Sequence, residues 1–216
     1  MPLSDRDYMK PTAPQKRTRG PGPLESFIMN PVLVIMAFNM LVFLAAVINQ
    51  DQVAAKLELM PGLIAQQPWR IITAMFLHVS IWHIFSNMLA LYFFGRIVYK
   101  ITGGWRFVVV YMAGGIAGNL LYLLIGPANP ALGASGAVYA IAGTLVVLMP
   151  NLRVSLWGII PLPLWAFVIV FLGVLTLPPF AGDNIAWQAH LGGLAIGLIA
   201  GFIYKRQMRH VIYPYR

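Results

Sequence analysis

The sequence predicts an all-α membrane protein: six transmembrane helices in one bundle, with a long first outer loop at the membrane interface. Three observations predict it. Mean hydropathy is +0.75, and 59% of the 216 residues are hydrophobic against 10% charged. A soluble domain carries about 25% charged residues. Six apolar runs follow one another, at about 31–49, 79–99, 105–125, 133–149, 158–177 and 185–204, each near the length that crosses a bilayer as a helix. Lysine and arginine fall on alternate connections, as the positive-inside rule requires of a multi-pass chain.

Residues 1–24 are polar, broken by Pro2, Pro11, Pro14, Pro21 and Pro23, and rich in lysine and arginine. They read as a flexible basic tail. They do not read as a signal peptide, because the apolar run behind them is long and no small-residue cleavage site stands out. Residues 25–205 form the membrane domain, and 206–216 a second short basic tail. The net charge of +9 speaks to orientation and anionic lipid rather than to nucleic acid. No cysteine is present, so a disulfide, a thiol nucleophile and a thiolate metal site are all excluded.

The N-terminal tail, the turn holding Lys100 and Arg106, the turn holding Arg153 and the tail holding Lys205, Arg206 and Arg209 are basic. The opposite side keeps Lys56 and Arg70, both in the first loop. Both termini are therefore expected in the cytoplasm, with a prokaryotic inner membrane as the expected location. The first loop, about 50–78, is too long for a turn and too apolar for free solvent (Val53, Leu57, Leu59, Met60, Leu63, Ile64), so it is expected in the interface. Trp69, Trp82, Trp105, Trp157 and Trp187 fall near the ends of spans, as an aromatic belt would. In the fifth span, Pro161 and Pro163 come at the start, so its helical part is short.

Small residues recur at helix-packing spacing: Gly114 and Gly118, then Gly136, Ala140 and Gly143, then Gly193, Gly197 and Gly201. Such rows let backbones approach closely in lipid. Spans two, four and six all start at the outer face, and each carries a polar residue a few positions in: His83, Ser135 and His190. At 1.5 Å per residue they reach similar depth. Ser135, in Gly133-Ala134-Ser135-Gly136, is a helix cap, a packing group or a nucleophile. His83 is an interfacial histidine or a site residue. His78, nearer the surface, reads as structural. Asn87 shares a helix face with His83 and reads by itself as helix-helix glue. His190 is an ionisable group within an apolar span, on the face of Gly193 and Gly197.

Together these residues support hydrolytic chemistry. His190 can take the proton of Ser135 and return it to a leaving amine. His83, Asn87 and the Ser135 N–H can donate to an oxyanion. Tyr139, one turn below Ser135, can hold the His190 ring. Asp5, Asp7, Glu25, Asp51, Glu58 and Asp183 all lie outside the spans, so such a hydrolase works as a serine–histidine dyad. A metal or haem site on His78, His83 and His190 is the weaker reading. The first two diverge on a helix, and no carboxylate or thiol supports them. No cofactor is expected.

The same residues carry a resemblance. Trp69-Arg70, the His78, His83 and Asn87 spacing, the Gly133-Ala-Ser135-Gly136 segment, and Ala189-His190-Leu-Gly-Gly193-Leu-Ala-Ile-Gly197 follow one another in order. In this the chain, from about 31 to 204, resembles the rhomboid family of intramembrane serine proteases. The resemblance implies a six-helix rhomboid-like bundle. It makes Ser135 the nucleophile, His190 the base, His83 and Asn87 the oxyanion donors, and Tyr139 the ring packed on the histidine. It implies substrates that are single-span membrane proteins, unwound and cut near the outer face, with entry from the side past span five. Bacterial relatives carry a glutamate near the inner end of span two that helps anchor the first loop; Tyr99 stands at that place here, which leaves the brace of this loop unassigned. A rhomboid-like pseudoprotease, which binds membrane clients without cutting, is the alternative; such relatives have lost the serine or the histidine, and both are present here. The sequence names neither the client nor the oligomeric state.

Overall fold

The computed structural model describes residues 30–156, 160–173 and 185–208. The N-terminal basic tail, residues 209–216 of the C-terminal one, Trp157, and residues 158–159 and 174–177 of the expected fifth span lie outside these residues. The described chain is a helical bundle. Helix α1 is Pro31–Ile48, α2 Gln50–Leu57 and α3 Arg70–Thr73. Helix α4 runs Ile81–Thr102 and α5 Gly104–Ile125. Helix α6 is Ser135–Leu148, α7 starts at Leu164–Phe167, and α8 is Trp187–Gln207. Four of these, α1, α4, α5 and α8, are long and apolar enough to cross a membrane, and α6 is a shorter apolar helix.

Helix starts follow local chemistry. Asn30 caps α1, its side chain accepting from the Val32 N–H at 3.1 Å, with Pro31 at the first helical position, where the missing N–H costs nothing. Asn49 ends α1 and caps α2 in turn, accepting from the Gln52 N–H. Ser80 caps α4 by accepting from the backbone N–H of His83 at 3.2 Å. That bond places His83 in the first turn.

Two departures from the expected elements stand out. Strand β1, Arg153–Leu156, runs antiparallel to β2, Ile160–Pro163, with Arg153 opposite Pro163 and Ser155 opposite Pro161. The expected fifth span begins at 158; the helix begins at Leu164 instead. Pro161 and Pro163 favour extended backbone and cannot donate to a helical ladder, and a two-stranded ribbon tolerates them because both strands are edges. The described chain remains mostly helical. The other departure is in α4, which is π-helical over Leu91–Gly95.

Helices α5, α6 and α8 form the centre, and the glycine rows are why. A Cβ at Gly193 would run into the Gly136 carbonyl, one at Gly197 into the Ala140 carbonyl, and one at Gly114 into the Ala140 side chain. Backbone meets backbone where α6 and α8 cross, and a glycine meets an alanine methyl group where α5 and α6 cross. Thr144 adds a bond across the α6–α8 seam, donating to the Gly197 carbonyl at 3.0 Å. Nearly every residue of α6 is buried. Its 14 residues span about 21 Å, less than the roughly 30 Å hydrocarbon thickness.

The first loop is braced by Arg70, buried although it is an arginine. Its Nε donates to Gln67 at 2.7 Å, one terminal nitrogen to the Glu58 carbonyl at 2.8 Å, and the other to the Ala55 carbonyl. Thr73 donates to the Leu57 carbonyl at 2.9 Å. Asn119 of α5 donates to the Ile71 carbonyl at 2.8 Å. The guanidinium thus gathers loop carbonyls that burial would otherwise leave unpaired. Tyr99, on α4, belongs to the packing of the main core instead.

Candidate active site

The loop also holds the segment that leads into α6. Leu59 and Ala131 exchange backbone bonds at 2.8 and 3.0 Å. The Gly133 N–H donates to the Ala74 carbonyl at 2.8 Å. The Ala134 N–H donates to His78 Nε2 at 3.4 Å, while His78 Nδ1 faces the Phe76 carbonyl at 3.4 Å. His78 is fully buried, in the connection just before α4. Accepting on Nε2 and donating from Nδ1 requires the neutral ring. Burial pushes its pKa down to about 4, and the nearby His83 imidazole, 4.9 Å between ring centres, adds to the shift.

Gly133 has φ +119°, a conformation that suits glycine. A Cβ there would also lie 2.7 Å from Cε1 and Nε2 of His83. The ring of His83 therefore rests on a bare backbone. Ala134 is the helix cap and Ser135 the first residue of α6, so the capping reading of Ser135 falls away. Its hydroxyl instead lies 2.9 Å from His190 Nε2. His190 is in the first turn of α8, buried, with the Tyr139 ring stacked on it at 4.2 Å between centres and 11° between planes. Gly136 lets α8 come close, since a Cβ there would be 3.2 Å from the Ala189 carbonyl. His190 Nδ1 has no hydrogen-bond partner among the described residues.

Ser135, His83, Asn87, Tyr139 and His190 all line one cavity of about 1040 Å³. It opens where α4, α6 and α8 begin, so the three helices run in parallel from one end, the arrangement expected from the spacing. Asn87 is buried and its Nδ2 donates to the His83 carbonyl at 2.9 Å. This amide is thus engaged within its own helix. His78 lies behind the cavity rather than on its wall. No group of three or more histidines and carboxylates fit to hold a metal ion occurs among the described residues. Among the cavity residues that no sequence motif marks is Gln188, two residues before His190. Its only signal there is an amide in the first turn of an apolar helix.

Apolar helices packed through glycine around a polar, histidine-lined cavity define a multi-pass integral membrane protein. A family model described as Rhomboid domain matches residues 65–207, and the chain belongs to the rhomboid family. It is 35% identical over 140 residues to Rhomboid protease GluP of Bacillus subtilis, covering 64% of this chain and 27% of that one. It is 34% identical over 147 residues to Rhomboid protein 1, mitochondrial, of Saccharomyces cerevisiae, covering 63% and 42%. Putative rhomboid protease YdcA of Bacillus subtilis is 30% identical over 145 residues, covering 66% and 71%. The matched stretch spans less than half the length of several of these relatives, and relatives named as mitochondrial stand beside bacterial ones.

Proposed function

We propose that this protein is an intramembrane serine endopeptidase that cuts transmembrane segments of membrane proteins near the face on which the cavity opens. One observation carries the reading: a serine hydroxyl 2.9 Å from a buried imidazole nitrogen, inside a cavity recessed into an apolar bundle. In this reading Ser135 Oγ attacks the scissile carbonyl as its proton passes to His190 Nε2. The His190 proton then goes to the leaving amine, and water, deprotonated by the same nitrogen, releases the acyl group. The oxyanion forms at the start of α6, where the first N–H groups of a helix lack intrahelical partners and the dipole favours negative charge. His83 donates from its ring, and Asn87 after its amide swings away from the His83 carbonyl. The stacked Tyr139 ring holds the imidazole in place of a carboxylate. The basic connections lie at the far ends of these helices, and the positive-inside rule then favours a cut on the outer side with both termini in the cytoplasm.

The test is cleavage of a generic transmembrane reporter in liposomes, with the cut mapped by mass spectrometry. Wild-type protein is expected to cut near the cavity-side end of the reporter span. Ser135→Ala is expected to remain folded and to be inactive. Cleavage by Ser135→Ala at the wild-type rate overturns the assignment of the nucleophile. A wild type that binds the reporter and never cuts it marks the chain as a pseudoprotease.

A further inference from the structure

Gln188 lies in the first turn of α8, is buried, and lines the same cavity as Ser135 and His190. Its Oε1 is closed off and has no hydrogen-bond partner among the described residues. A buried amide oxygen left unpaired is costly, and native structures seldom keep one without a use. Holding a long glutamine side chain in one place also sacrifices rotamer freedom. Leucine would fill the position with no unpaired oxygen and a smaller loss of rotamer freedom.

We propose that Gln188 is a substrate-positioning residue whose carboxamide pairs with the exposed backbone of an unwound transmembrane peptide. This rests on the proteolytic reading above. A peptide pulled out of its helix carries N–H and C=O groups that have lost their partners, and in a membrane they must find new ones. A carboxamide offers one acceptor and one donor side by side. A half-turn about its terminal bond exchanges the two, so it can meet either order presented by an extended residue. Its place, two residues before the base, sets the peptide in register against Ser135. It reads no side chain and so suits recognition of an unwound backbone irrespective of sequence.

The experiment compares wild type, Gln188→Ala and Gln188→Met in liposomes. It measures KM and kcat on a transmembrane reporter, and the labelling rate of Ser135 by a small fluorophosphonate that has no peptide. Methionine keeps the volume and removes the hydrogen bonds. Both variants are expected to raise KM about tenfold, the loss of one to two hydrogen bonds, with fluorophosphonate labelling and thermal stability unchanged. Wild-type KM in Gln188→Met means the side chain only packs, and overturns the proposal. So does a loss of labelling in step with cleavage, which marks a structural role. A wild type that cuts no reporter overturns the proteolytic reading and this inference with it, an outcome separate from a cutting wild type whose variants match it.

Discussion

His78 Nε2 accepts the backbone N–H of Ala134 at 3.4 Å, so a buried histidine of the first loop holds the residue that precedes Ser135. The loop and the serine are one mechanical unit. The pair also carries a pH dependence. The folded pKa of His78, about 4, lies below its ordinary value of 6.5, so the folded state binds fewer protons between those values. Its contribution is full above pH 6.5 and is lost as pH falls toward 4, with a slope of at most about 1.4 kcal/mol per pH unit. His78→Gln is expected to flatten the stability profile between pH 6.5 and 4 by about one proton. Thermal unfolding in detergent across that range checks it; an unchanged slope contradicts the neutral, buried ring.

Asn87→Ala is expected to lower kcat by roughly ten- to a thousandfold, the range for one lost oxyanion donor. Because Asn87 already bonds within its own helix at 2.9 Å, removing it leaves no packing partner stranded, and the melting temperature is expected to move little. A large fall in melting temperature with normal turnover per folded molecule identifies Asn87 as a helix tie.

The stacking of Tyr139 on His190 predicts that Tyr139→Phe, which keeps the ring face, retains most activity. Tyr139→Ala frees the imidazole and is expected to cost about ten- to a hundredfold, as small misplacements of a reacting group do. Both variants are measured on one reporter with folding followed in parallel. Equal losses refute the stacking account.

Gly193→Ala tests the seam that brings His190 to Ser135. Its new methyl group meets the Gly136 carbonyl, which is backbone and cannot turn aside. Overpacking of this kind costs about 1–3 kcal/mol, and the helices must part. Reduced thermal stability is expected together with slower fluorophosphonate labelling of Ser135. Wild-type values for both show that the seam absorbs the methyl.

Much of this architecture is legible residue by residue. Apolar runs and the placement of Lys100, Arg106 and Arg153 are local properties, because hydrophobic length and charge alone decide what enters a bilayer. The meeting of His83, Ser135 and His190 follows from helix direction and rise, and the glycine rows announce which backbones touch. Contacts between segments distant in sequence are another matter. Nothing near Arg70 shows that it gathers the carbonyls of Ala55 and Glu58, since its partners come from the path of the loop. Pro161 and Pro163 announce a late start to the fifth helix, but the pairing of Arg153–Leu156 with Ile160–Pro163 is a contact that no local pattern shows. Asn87 turned toward its own helix, and the unpaired oxygen of Gln188, emerge only with the packed helices in place. Composition counts polar groups, but satisfaction of each one is a matter of geometry in three dimensions.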